Sequence, residues 1–225
     1  MRYIIMCGGH YEKWKIPKQM TEYKGEPIVA RTIRILRENE IEDIAISSNN
    51  DAFARFNVPL LKHDNDFTVR GYNDSDGYWC DCFYPTDKPT CYLMGDVIFS
   101  RAAIKKIVQY KGDDIMLFGS KPPFAKNYPK KWVEPFAFKV WNTEHLKKAC
   151  EEVKRLFREG RFNRVPIAWE LWSVICGYDL NKTDYRSYIS INDYTCDIDD
   201  PEEGQLYGDV DSTIQELSEL DRTLF

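Results

Sequence analysis

The strongest constraint on how this chain folds is an alternation of short apolar runs and amphipathic stretches that begins at its second residue. Arg2 to Met6 is rich in strand formers and stops at Cys7-Gly8-Gly9, and Glu42 to Ser48 repeats the pattern with Ile44, Ala45 and Ile46 before Asn49-Asn50. Between them Gly25-Glu26-Pro27 opens a helix, with Pro27 suited to its first turn; Val29, Ile33 and Leu36 share one stripe while Arg31, Arg34 and Glu38 face away. The alternation continues with a short helix, a third strand near 59–62, and the buried-type run Thr90 to Met94 leading into Gly95-Asp96. Ser100 then caps a helix carrying Ala103, Ile104, Ile107 and Val108, strands follow at 115–119 and 133–140, and Thr143 caps a helix bearing Leu146, Cys150, Val153 and Phe157. A further helix over 166–176, a strand at 188–191, an acidic turn at 197–203 and an amphipathic helix near 212–220 complete the order, while 64–89 reads as a long functional loop with room for one helix. No repeat or linker interrupts the series, so a single α/β domain over 1–225 is expected.

Composition narrows what such a domain does. A chain of 225 residues with 43% hydrophobic content buries a core and is not disordered. The balance of 31 Lys+Arg against 36 Asp+Glu, a formal charge of -5, suits neither a nucleic acid nor an anionic membrane, so a small anionic substrate needs a local basic pocket. No apolar stretch is long enough to span a bilayer. Seven scattered cysteines, an odd number, and no signal-peptide pattern after Met1 point to a reducing cytoplasm. Cys80-Asp81-Cys82 lacks the spacing of a zinc site, and only His10, His63 and His145 stand elsewhere, which argues against a metal held through sulfur. Cys7, at a strand end beside two glycines, is the one thiol expected to line a site.

Three groups of residues carry chemistry. A glycine pair after a strand lets backbone amides approach a phosphate, and Gly8-Gly9 fits that role, although a glycine pair alone is also an ordinary turn. Neither a P-loop nor a dinucleotide fingerprint is present. Lys13, Lys15 and Lys18, with Pro17 stiffening the approach to Lys18, follow within ten residues and form either a basic cup or a solvated loop. Asp96 ends an apolar strand, where open α/β sheets place ligand-contacting groups and where a carboxylate needs a partner. The third group is the run Asp197-Ile198-Asp199-Asp200-Pro201-Glu202-Glu203, with no Lys or Arg between Arg186 and Arg222. Strand alternation presents Asp197 and Asp199 on one face, able to meet Asp96 across a magnesium ion, whereas Asp200, Glu202 and Glu203 read as a solvated turn.

Taken in order, Cys7-Gly8-Gly9, Pro17-Lys18-Gln19, Gly25-Glu26-Pro27-Ile28, Leu93-Met94-Gly95-Asp96 and the segment Asp197 to Glu202 resemble the signature segments of the nucleotidyltransferases with the glycosyltransferase-A-like fold. The resemblance implies a Rossmann-like three-layer sandwich with a mixed, mainly parallel central sheet. It also implies transfer of a nucleoside monophosphate from a nucleoside triphosphate to a phosphorylated acceptor, with release of pyrophosphate. By position, Cys7, Gly8 and Gly9 would hold the triphosphate, Lys13 would replace the glycine-loop arginine and Lys18 would stand near the α-phosphate, the two lysines acting as the catalytic cations. Asp96 and Asp199 would bind Mg2+, with Asp197 as a third carboxylate. The chain departs from the family at His10-Tyr11-Glu12, where a further glycine and a small residue are usual.

Residues 63–84 resemble the acidic, Asn- and Tyr-bearing stretch of the phosphocholine cytidylyltransferases, which implies CTP as the favoured triphosphate and puts Asp64 at the nucleotide. Trp79, Tyr84, Trp132 and Glu134 suit a cage for a quaternary ammonium acceptor, although a sugar or polyol phosphate is equally admissible and 14% aromatic content must also fill a core. The expectation is therefore a cytoplasmic, magnesium-dependent cytidylyltransferase-like enzyme acting on a small phosphorylated metabolite, with neither nucleic acid nor membrane as partner and with a homodimer admitted. Two other readings stand beside it. A glycosyltransferase of related fold would consume a nucleotide sugar, but Gly95-Asp96-Val97 lacks the second carboxylate two residues on; a degenerate relative would bind a nucleotide without turnover.

Overall fold

The computed structural model describes residues 1–8, 14–62, 78–120, 133–162, 164–180, 187–199 and 209–211. In chain order these form β1 (Arg2–Met6), β2 (Glu22–Tyr23), β3 (Glu26–Pro27), α1 (Ile28–Glu38), β4 (Ile44–Ser47), β5 (Leu60–Leu61), α2 (Tyr78–Asp81), β6 (Thr90–Met94) and β7 (Val97–Ile98). Then come α3 (Arg101–Gln109), β8 (Ile115–Gly119), β9 (Pro135–Val140), α4 (Thr143–Arg158), α5 (Ala168–Cys176), β10 (Ile189–Ser190) and β11 (Cys196–Asp197), with 3-10 turns at Lys18–Met20 and Asp51–Phe56.

Seven strands make one sheet in the order β10-β8-β9-β6-β1-β4-β5. Every pairing within it is parallel except the two made by β9, which runs antiparallel to both β6 and β8. The sheet is thus mixed and mainly parallel, as expected. Ile4, Ile5, Cys91 and Leu93 are wholly buried, which is why these strands read as nearly continuous apolar runs: helices cover both faces. The helices fall into two groups, α1 against α3 and α4 against both α2 and α5, completing the three layers. A second, smaller core gathers Trp14, Tyr23, Ile28, Ile98, Tyr194, Ile198 and Val210 beside the main one.

Local chemistry sets the helix starts. Ser100 Oγ accepts from the Ala103 amide at 2.8 Å, the expected cap. The long helix α4 is capped by Asn142 instead of Thr143: its side-chain oxygen accepts from the His145 amide at 3.0 Å, so Thr143 is already the first helical residue. Arg31 corrects a second expectation. It does not face away but lies at 5% exposure, because it falls three residues after Ile28 and four before Ile35 on the buried side, and Asp211 Oδ2 accepts from its Nη2 at 2.7 Å. The strand expected at 188–191 reduces to Ile189–Ser190, and the helix expected over 212–220 lies outside the described residues.

Candidate active site

The site forms where β1 and β6 end together. The Gly95 amide donates to the Met6 carbonyl at 3.0 Å, and a Cβ on Gly95 would stand 2.3 Å from that oxygen and 2.7 Å from Cys7 Sγ. Only glycine permits this contact, and it turns Asp96 out over the carboxyl edge of the sheet with 25% of its side chain exposed. The same contact seals Cys7 inside at 2% exposure, which corrects the expectation of a thiol lining the site; the Cys7 amide is also engaged, donating to Ser47 O at 2.8 Å.

The acidic segment near the carboxyl end arrives by strand pairing. β11 runs antiparallel to β7 with Asp197 opposite Val97, and the Ile198 amide donates to the Asp96 carbonyl at 3.0 Å. Alternation then sorts the side chains: Ile198 is wholly buried in the small core, while Asp197 and Asp199 project to the other side, Asp197 at 9% exposure and Asp199 with about half its side chain exposed. Asp96 and Asp199 come together over Lys18. Its Nζ lies 2.5 Å from Asp96 Oδ2 and 4.0 Å from Asp199 Oδ1, and it donates to the Ile198 carbonyl at 3.2 Å. Lys18 is delivered by the 3-10 turn after Pro17, in which the Met20 amide donates to Pro17 O at 2.8 Å and the Thr21 amide to Lys18 O at 3.0 Å.

Glu134 joins this group. Because β9 is reversed, its first residues lie at the edge where β6 ends, and the segment leading into it is pinned from both sides. The Trp169 indole donates to Val133 O at 2.9 Å, the Glu134 amide donates to Ser120 Oγ at 3.2 Å, and the Ser120 amide donates to Glu134 O at 2.9 Å. Gly119 makes the approach possible, since a Cβ there would stand 2.6 Å from the Glu134 carbonyl oxygen. One carboxylate oxygen from each of Glu134, Asp197 and Asp199 lies within 4.8 Å of the others. The donors are all carboxylate oxygens, the set a hard divalent cation such as Mg2+ takes.

The remaining expected residues divide. Gly8 follows Cys7 and is half-buried. Tyr84 lines a separate cavity of about 650 Å³ with Tyr92, Leu146, Lys147 and Cys150, and its carbonyl accepts from the Tyr92 hydroxyl at 2.7 Å. That cavity opens beside Thr143, at the end of β9 opposite Glu134, so Tyr84 and Glu134 do not form one cage. Trp79 is placed in α2 by its backbone, while its side chain, together with Gly9, Lys13, Asp64 and Trp132, lies outside the described residues. None of the seven cysteines stands in a disulfide.

Reading the sequence missed the closeness of Glu134 to Asp197 and Asp199, and the clamp made by buried Arg31, exposed Arg101 and half-buried Asp211. Spacing holds no signal for the first. The second is visible only in the helical stripe, where Arg31 shares a face with Ile28 and Ile35. Asp211 accepts from Arg31 Nη2, from the Arg101 amide at 2.9 Å and from Arg101 Nη1 at 2.9 Å. Burial pushes its carboxyl upward, but these donors outweigh it and hold the group below its ordinary value.

The architecture is the fold of the nucleotidyltransferases, a mixed, mainly parallel sheet flanked by helices. Among solved structures, the CTP:phosphocholine cytidylyltransferase of Streptococcus pneumoniae is similar at 14% identity over 100% of this chain and 99% of that one, with a TM-score of 0.51. The inositol-1-phosphate CTP transferase of T. maritima is similar at 14% identity over 91% of this chain and 94% of that one, with a TM-score of 0.52. The bifunctional IspDF of Campylobacter jejuni is similar at 12% identity over 92% of this chain and 53% of that one, with a TM-score of 0.54. No protein-family model and no curated protein sequence matches the chain. Among the described residues, no helix is long and apolar enough to cross a membrane.

Proposed function

We propose that this protein is a nucleotidyltransferase, one domain over 1–225, that transfers a nucleoside monophosphate, CMP by preference, from a triphosphate to a small phosphorylated acceptor in the cytoplasm. The observation that carries the reading is the convergence of Lys18, Asp96, Asp197, Asp199 and Glu134 at the carboxyl edge of a sheet of this fold. The preference for CTP rests on the two cytidylyltransferases of similar fold.

In this reaction an acceptor phosphate oxygen attacks the α-phosphorus. One P–O bond forms as the bond to the bridging oxygen breaks, and its electron pair leaves with pyrophosphate. The approach joins two anions, so the work is charge neutralisation and in-line positioning, with no proton transfer required. Lys18 supplies a cation at the α-phosphate, and Gly8 and Gly9, by their place in the sequence after β1, are the residues assigned to the triphosphate. Asp96, Asp197 and Asp199, joined by Glu134, are the residues to hold magnesium. The donor chemistry fits, and the Lys18 ammonium already lies against two of these carboxylates, so the site favours positive charge. When bound, the ion supplies Lewis-acid neutralisation of triphosphate oxygens.

The test is pyrophosphate release from the full chain with Mg2+, each nucleoside triphosphate and a panel of choline, sugar and polyol phosphates. Release with CTP and one acceptor class is expected. Silence across the panel from correctly folded protein overturns the reading.

A further inference from the structure

We propose that the Lys18 ammonium is an internal place-holder for the divalent cation: it neutralises the carboxylate site until a cation bound at Asp96 and Asp199 expels it toward the triphosphate. The proposal rests on the metal reading of the site given above.

The geometry is that of a bound cation. Nζ is held by Asp96 Oδ2 at 2.5 Å and the Ile198 carbonyl at 3.2 Å, with Asp199 Oδ1 at 4.0 Å, and only 8% of the side chain is exposed. An ammonium buried to this degree is costly without such partners, so it stays where the carboxylates are. Those oxygens are also the donors that a hard divalent ion requires. An ion coordinated by Asp96 and Asp199 would lie within a few ångströms of Nζ, and two cations at that separation in a half-desolvated site repel strongly. One must leave. Asp197 and Glu134 stand beside Asp199, so the site keeps enough negative charge to draw the divalent ion in.

Exchange has a consequence for order. While Lys18 sits on Asp96 it is not directed at substrate, and while the carboxylates hold Lys18 they bind the cation weakly. A triphosphate offers Lys18 another anion and the cation offers the carboxylates another partner, so each ligand removes the other's competitor. Their affinities are therefore positively and reciprocally coupled. The protein loads metal poorly without nucleotide, and Lys18 is deployed when both are present.

The test uses Mn2+ alone, titrated into the nucleotide-free full chain and read by the electron paramagnetic resonance of unbound Mn2+. Lys18→Met keeps the aliphatic stem and removes the charge; it should bind Mn2+ at least ~10-fold more tightly than the native protein, and Lys18→Arg should stay near the native value. Equal or weaker binding by Lys18→Met overturns the proposal. A second measurement needs no variant: amine labelling of Lys18 in the native protein, read by mass spectrometry, should rise several-fold at saturating Mg2+, and unchanged labelling overturns the proposal. If native protein releases pyrophosphate in a cation-dependent way while these readouts stay flat, the place-holder fails and the nucleotidyltransferase reading stands. If neither protein binds Mn2+ and no pyrophosphate is released with any cation, both fall.

Discussion

Gly95 rests directly on Met6: its amide donates to the Met6 carbonyl at 3.0 Å, and a Cβ there would stand 2.3 Å from the same oxygen. That oxygen is backbone and not a flexible side-chain tip, so Gly95→Ala must push the end of β6 away from β1 and carry Asp96 with it. The variant should lose about 2–4 kcal/mol in denaturant unfolding. Pyrophosphate release should fall by about 100-fold or more, since displacement of about 1 Å is enough for that. Native stability together with native turnover would refute the contact.

Asp96→Asn keeps the shape and hydrogen-bonding capacity of the side chain and removes its charge. Turnover should drop by roughly 100-fold or more, while nucleotide affinity measured by calorimetry changes far less. A variant that keeps its turnover would take Asp96 out of the machinery.

Glu134 tests which of two parts of the site it serves. With its carboxylate in one group with Asp197 and Asp199, Glu134→Gln should weaken Mn2+ binding by about 10-fold. A rise in acceptor KM with unchanged Mn2+ binding would return Glu134 to the acceptor side.

The clamp at Asp211 predicts a pH dependence of stability. Its carboxyl is held below the ordinary value of 3.8 because the Arg101 amide and the Arg31 guanidinium outweigh the effect of burial. A depressed carboxyl stabilises the fold fully above the unfolded value and loses that contribution as pH falls through the folded one. Asp211→Asn should therefore lower Tm near pH 7, and the gap from the native protein should close as both are acidified below about pH 3.8. A gap that is constant with pH would mean that Asp211 acts by shape alone.

Much of this was legible before any coordinates. The strand at Arg2–Met6, the Ser100 cap, Asp96 at a strand end and the alternating Asp197-Ile198-Asp199 are all local patterns. They depend on side-chain period and on hydrogen bonds within three or four residues. Arg31 was misjudged because three flanking apolar residues defined the stripe too narrowly, and Thr143 because its predecessor Asn142 is an equally good cap.

What the chain's order of residues determined by itself is the alternation of strand and helix, the glycine stops and the two acidic stations, since each follows from chemistry between near neighbours. Tertiary structure alone decided that β9 runs backwards and so brings Glu134 to Asp197 and Asp199, that Gly95 seals Cys7 away, and that Lys18 lies on Asp96. Those outcomes join residues roughly 60 to 90 positions apart, and strand direction and register, which no local pattern encodes, bring them together.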